Sequence, residues 1–470
     1  MAANFYSKRR ACEQVRLFIA GNGMRISARH LVSVYISLVI AGFGSRVLGE
    51  VNWPQFRGAG AMGIAENRAL PENWDQGRNV SWKVPVEGMG WSCPSVWGDR
   101  VFITTAVSAG EIEKIKKGLY FGGERPAPKD IHEWRVICLD LKTGKTLWSK
   151  TVDRGIPPHG RHLKNSYASE TPITDGERIY AYFGNVGLFT FDMDGNRLWE
   201  HRWKPVKTRH GWGTAASPCL HKDRIYVIND NDEQSFLTAL DKKTGAVIWS
   251  KDRDEPSNWS PPFVWENSLR SEIITPGTGR TRSYDLDGNV LWTLRGLSSI
   301  TVPSPFAEGD LLYLCSGYVG DKRKPLFAIK PGAKGDITLD SEETRNRFIA
   351  WCQKKAAPYM PTPVLYRDRI YVLLDRGLLS CYEAKTGRVI YDRERLGRSA
   401  QFTASPLAYN GRIFCFGERG ETVVVEAGDS FKMLGRNELG DLIMATPAIA
   451  GDCLLIRTVR HLYCIRKASS

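Results

Sequence analysis

Short apolar stretches alternate with turn signals along most of this chain, and they are too brief for helices. Val136-Ile137-Cys138-Leu139 and Ile413-Phe414-Cys415-Phe416 are typical: four to six β-branched or aromatic positions, then Gly, Asp or Asn. That pattern predicts strands joined by tight turns. The segment Leu139 to Trp148 shows the unit in full: a strand, a turn begun by Asp140, a left-handed position at Gly144, and a second strand closing on Trp148. The same hairpin recurs at Asp192–Trp199, Asp241–Trp249, Asp285–Trp292 and Glu383–Tyr391. A degenerate version, Pro331 to Asp336, precedes Trp351.

Each hairpin follows a fixed preamble of a small residue and a proline, a strand, a turn and an aromatic-rich strand. The prolines stand at 94, 172, 218, 262, 305, 363, 406 and 447, spaced by 78, 46, 44, 43, 58, 43 and 41 residues. The two long intervals hold insertions, one at roughly residues 108–133. A period of about 40–50 residues with four short strands per unit means propeller blades. Eight prolines predict an all-β, eight-bladed propeller of four-stranded antiparallel blades. The eighth unit stops without its outer strand, and Val80 to Val86 has no hairpin partner, so the N-terminal strand is expected to close the ring. Closure removes the open sheet edges that otherwise pair with other chains. The hairpin-closing residues Trp148, Trp199, Trp249, Trp292, Trp351 and Tyr391 are expected to dock blade on blade.

The Asp-x-x-Thr-Gly-x-x-x-Trp hairpins at Asp140–Trp148 and Asp241–Trp249, with the near match at Glu383–Tyr391, resemble the repeat of quinoprotein alcohol dehydrogenases, which use pyrroloquinoline quinone (PQQ). The outer-membrane assembly lipoprotein BamB is built from the same repeat without a cofactor. The resemblance covers about residues 80–466. Trp53 to Gly58 and Gly211 to Pro218 are similar to stretches of exported PQQ-like repeat proteins of environmental bacteria. Such a repeat is specific for fold and poor for function.

Composition adds a destination. Met24 to His30 is basic, Leu31 to Gly44 is apolar, and Val47-Leu48-Gly49 offers a cleavage site before Glu50. The apolar run suits a secretory signal better than a membrane span. Residues 1–23 read as an upstream extension, 24–49 as a signal peptide cleaved near Gly49, and 50–470 as one propeller domain; an uncleaved anchor is the alternative. Export to the periplasm or envelope follows, with no transmembrane span in the mature chain and a monomer expected. The net charge is +14, of which residues 1–49 carry +6. The remainder is spread without a basic run or a nucleic-acid module, so nucleic acid is not an expected partner. An envelope protein or polysaccharide is. The ten cysteines include no Cys-x-x-Cys pair, which argues against zinc.

Candidate chemistry sits where propellers present their channel, at the starts of the inner strands. The residues beside the prolines are Trp91, Tyr167, Glu170, Trp212, Asn258, Trp259, Tyr359 and Gln401, with Ser92 and Thr301 nearby. The aromatics offer a stacking floor, and Glu170 with Asn258 offers oxygen ligands for a cation. The resemblance implies what a PQQ enzyme needs: a hard cation such as calcium, an Asp base, a Trp on one face of the quinone and a Cys-Cys disulfide on the other. This chain has no Cys-Cys dipeptide. The expectation is therefore an exported, non-catalytic binding or scaffolding propeller with no catalytic residue and no cofactor. The alternative is a PQQ- and calcium-dependent oxidoreductase of alcohols or sugars.

Overall fold

Eight sheets, each with an antiparallel core of consecutive strands, account for nearly all regular structure in a computed structural model that describes residues 52–467 apart from Arg68, Ile112 and Ser399. The proposed extension and signal segment lie outside the described residues. Blade one runs through Ser95–Trp97, Arg100–Ser108, His132–Asp140 and Thr146–Gly155. Blades two to seven repeat the plan in chain order. Blade eight takes its three inner strands from Ala448–Ala450, Cys453–Arg457 and His461–Ile465. Its fourth is Val80–Pro85, antiparallel to His461–Ile465 with Lys83 opposite Tyr463. The inner strand of blade eight also touches that of blade one. The two ends of the repeat array thus meet in one sheet.

The proline signals have a physical reason. The backbone N–H of Cys93 donates to Thr171 Oγ1 of blade two (3.0 Å), and that of Thr171 to Ser217 Oγ of blade three (2.9 Å). The series resumes with Ser304 to Thr362, Thr362 to Ser405 and Ser405 to Thr446, at 2.9–3.0 Å. At five of the eight prolines the hydroxyl just before the proline therefore satisfies the preceding blade's buried amide, forming a belt around the channel. Blade four breaks it: Pro261 occupies the hydroxyl position, with neither an O–H to accept nor an N–H to give.

The hairpin tryptophans act at the opposite, outer edge. Trp148 Nε1 donates to Met193 O (3.0 Å), Trp199 to Lys242 O (3.2 Å), Trp249 to Leu286 O (3.0 Å) and Trp351 to Ala384 O (2.9 Å), each in the turn of the next blade. Trp82 on the N-terminal strand does the same to Leu141 O of blade one (2.9 Å). The turn glycine lies flat against the indole: a Cβ on Gly144 would sit 2.7 Å from Trp82, and one on Gly195 2.7 Å from Trp148. Both glycines are left-handed, at φ +72° and +83°. The Asp opening each hairpin holds its turn by accepting from backbone amides, as Asp140 does from Thr143 N (2.8 Å).

Trp292 departs from this pattern. Its indole is buried and donates to Glu272 Oε2 of its own blade (2.7 Å). The hairpin turn of blade five is degenerate, and Gly335–Asp336 instead pairs in parallel with Trp292–Thr293 as an added strand on blade four. Trp265 supplies an inter-blade bond there, to Gly309 O (3.1 Å). Tyr391 packs into the core shared with blade seven, beside Phe431. Between blades seven and eight the filler is Trp74 from the N-terminal segment, stacked on Phe414. Cys453 and Cys464 form a disulfide within blade eight, and the other described cysteines are free thiols, mostly buried.

Residues 52–67 span one end of the channel. Trp53 exchanges backbone hydrogen bonds with Val96 of blade one, Pro54 O accepts from Thr174 N of blade two, and Ile64–Ala65 pairs in parallel with Ala408–Tyr409 of blade seven. Between them Arg57 is buried, its guanidinium donating to the carbonyls of Ala61 (3.0 Å), Met62 (2.9 Å), Thr362 (3.0 Å) and Pro363 (2.8 Å). Five donors in a fixed fork let one side chain tie the segment to blade six without a carboxylate.

Candidate functional site

Above the belt the channel widens into a cavity of about 440 Å³, with Phe56 of the N-terminal segment among its lining residues. Its wall carries Trp91, Trp212, Trp259 and Tyr359, four of the eight residues expected there, together with Tyr318, Met360 and Met444. The aromatics touch one another: Trp212 lies 6.2 Å from Trp259, and Tyr318 meets Tyr359 edge-on at 5.1 Å. Their indole N–H groups are anchored to backbone, Trp91 on Lys164 O (3.0 Å), Trp212 on Gly123 O (2.9 Å) and Trp259 on Gly213 O (2.6 Å). Fixed rings of this kind present apolar faces at little entropic cost.

The insertion in blade one covers part of this mouth. Gly118 N donates to Glu418 Oε2 of blade seven (2.8 Å), and Arg125 N to His210 O between blades two and three (2.8 Å). Phe121 packs on Trp212 yet stays 66% exposed. Beneath the insertion Lys164 reaches Glu418, Nζ to Oε1 at 2.5 Å, with the two side chains only 5% and 1% exposed. Thr403 Oγ1 donates to the same oxygen (2.7 Å). A buried pair is tolerable only when its remaining valences are met, and here both carboxylate oxygens are. His162 lies alongside, between Tyr120 and Trp212, and accepts Lys164 N on Nδ1 (3.1 Å). Burial and then the Lys164 charge push its pKa down to about 4, so the ring is neutral at neutral pH.

The other expected residues lie elsewhere. Glu170 is buried within blade two, where Oε1 accepts from Thr214 Oγ1 (2.6 Å) and Gly184 N (3.3 Å), and burial raises its pKa. Asn258 donates to Asp230 Oδ2 (3.1 Å) and Pro276 O (2.5 Å). Glu170 and Asn258 therefore do not converge on the cavity as cation ligands, because each side chain turns back between strands. The acidic turn from Asp230 to Glu233 is partly buried: Arg253 clasps Asp230 with two bonds, of 2.7 and 3.0 Å. Tyr167 faces two side cavities, its hydroxyl on His159 O (3.0 Å). Gln401 lies near Gly118 of the insertion and leaves Oε1 without a partner among the described residues. Among the described residues no three His, Cys, Asp or Glu side chains are grouped to hold a metal ion. The donor set that a calcium-held quinone requires is thus not assembled at this mouth.

Lys164, Glu418 and His162 are absent from the expected site residues, and the insertion at roughly 108–133 is expected without a role at the mouth. Lys164 and Glu418 are 254 positions apart, and neither stands in a motif. The insertion is visible as an interruption of the period, the one available signal.

Comparison with known proteins agrees with this geometry. The family model described as "Outer membrane protein assembly factor BamB" matches residues 73–231 and 190–332, more than half of the chain. The outer membrane protein assembly factor BamB of Shewanella oneidensis is 20% identical over 322 residues, covering 66% of this chain and 75% of that protein. Quinohemoprotein alcohol dehydrogenase from Comamonas testosteroni superposes with a TM-score of 0.57 at 11% identity, over 92% of this chain and 82% of its own. Quinohemoprotein alcohol dehydrogenase ADHIIG from Pseudomonas putida HK5 gives 0.53 at 11% identity, over 89% and 81%. Likeness at such identity speaks for the fold alone. By its repeats, its blades and the matched residues, the chain belongs to the PQQ-like repeat propellers of the outer membrane protein assembly factor BamB family.

Proposed function

We propose that the protein is an exported, non-catalytic β-propeller that serves as a binding or scaffolding module of the cell envelope and recognises its partner at the channel mouth. The observation that carries this is the state of the buried charge there. Lys164, the one fully buried ionisable side chain among the described cavity residues, is spent on Glu418. A reacting centre needs an acid, base or nucleophile poised at the cavity; here fixed aromatic faces and a covering insertion are what is presented. The family relatives named as outer membrane assembly factors support an envelope role and a protein partner. The fully engaged Glu170 and Asn258 weigh against the oxidoreductase alternative.

The test is direct. Purified protein is mixed with PQQ and calcium, its absorbance spectrum is recorded, and dye-linked oxidation of alcohols and sugars is assayed. No spectral shift and no turnover are expected. Stoichiometric uptake with turnover that Trp212→Ala abolishes overturns the proposal.

A further inference from the structure

Beside the channel cavity, between blades five and six, lies a second cavity of about 380 Å³ whose lining includes Lys324, Lys355, Arg376 and Arg393. It shares Leu119, Val319 and Arg376 with the channel cavity, so the two adjoin. The backbone brings these residues together. Lys324 and Lys355 oppose each other across an isolated parallel bridge. Lys324 N donates to Lys354 O (3.2 Å), and Ala357 N donates to Lys324 O (2.9 Å). Arg393 is left-handed at φ +55°, an unfavourable state for a side-chain-bearing residue. Its N–H donates to Ser380 Oγ (2.9 Å) and its guanidinium to Lys355 O (3.3 Å).

Carboxylates neutralise this group only in part. Among the described residues Lys324, Lys355 and Arg376 make no ion pair, and Arg393 makes a long one with Asp392, at 3.8 Å. Asp375, the carboxylate lining the cavity, is buried and accepts the amides of Tyr359 (2.8 Å) and Met360 (3.0 Å). Like charges fixed around a cleft repel one another, and low-dielectric walls focus their field on whatever enters. Four cations against two carboxylates, Asp375 and Asp392, still leave an excess that calls for more than a single negative charge. A phosphate monoester brings nearly two, with three acceptor oxygens that suit guanidinium forks.

We propose that this cleft is a binding site for the phosphate group of a phosphate-bearing ligand, either a free oligophosphate or a phosphomonoester lipid headgroup. The site does not depend on what occupies the channel. The test uses the full chain. Inorganic pyrophosphate is titrated calorimetrically, and vesicles of phosphatidylcholine with and without phosphatidic acid are co-sedimented with the protein. Lys324→Glu/Lys355→Glu is compared with Lys145→Glu/Lys243→Glu, a pair of exposed outer-turn lysines that changes net charge equally. Thermal melting of both variants checks folding.

Expected is salt-sensitive binding that the cleft variant weakens at least about tenfold and the control about twofold or less. Binding of pyrophosphate assigns a free phosphate ligand, and binding of phosphatidic acid vesicles alone assigns the headgroup. No binding of either probe, equal loss in the two variants, or tighter binding of citrate than of pyrophosphate overturns the proposal.

Discussion

The outer rim and the channel mouth of this propeller are built by opposite rules. At the rim one device repeats: a tryptophan from one blade covers the turn glycine of the next and donates its N–H to a carbonyl there. At the mouth the belt hydroxyls and the aromatics beside the prolines recur, but the contacts that cover it do not. Lys164 and Glu418 meet from opposite ends of the chain, and residues 113–131 interrupt the period in order to reach them. Repetition at the rim comes from the shared task of docking similar blades. The mouth has no such task, so its residues are free to differ from blade to blade, and it is there that the proposed recognition is placed.

The comparison can be broken most severely at the rim. Trp82→Ala removes the contact joining the N-terminal strand of blade eight to blade one. It should cost about 3–5 kcal/mol, as truncating a buried Trp does, and thermal denaturation measures it. A loss below about 1 kcal/mol would mean that the strand pairing alone holds this junction.

At the mouth, Lys164→Met strands the Glu418 carboxylate and should cost about 3 kcal/mol. The double variant Lys164→Met/Glu418→Gln should recover much of this, since no charge is left buried. Chemical denaturation of the four proteins of the cycle gives the coupling, and purely additive losses would show that the pair is not coupled.

A smaller rim effect is expected from Gly195→Ala, which places a methyl group against Trp148 at a left-handed position. About 1–3 kcal/mol is anticipated. Gly428→Ala, in open space, should be nearly silent by the same denaturation measurement.

The smallest effect is a pH slope. Burial raises the Asp375 carboxyl to about 6 from a usual value near 3.8. The native state then holds a proton that the unfolded chain releases earlier, so this group's contribution to stability falls as pH rises from about 4 to about 6 and is flat above. Asp375→Asn should lack that fall. Identical slopes for the variant and the parent protein would assign the titration to another group.

Much of the fold is legible in the sequence, because the interactions that repeat in space also repeat along the chain. The Ser/Thr-Pro preamble marks the belt hydroxyls, and Asp-x-x-x-Gly with a closing Trp marks the rim. Even the strand that carries Trp82 is visible, as one that lacks a hairpin partner. Trp292 packs in the core shared with blade five as expected, but the turn it would bond is missing from that blade, and its indole N–H turns to Glu272 instead. Of the site, the four aromatics that line the cavity follow from their place beside the prolines. Glu170 and Asn258 share that place but not that direction, since position along a strand does not fix where a polar side chain finds its hydrogen bonds. The Lys164–Glu418 pair leaves no local trace at all: its partners share no period, no motif and no neighbours.

The N-terminal segment clamped by Arg57 crosses one end of the axial channel and places Phe56 among the residues that line its cavity. The residues that tie this segment to blade six therefore also shape the space open at the mouth, so a change that loosens the clamp is felt by the cavity as well as by the fold.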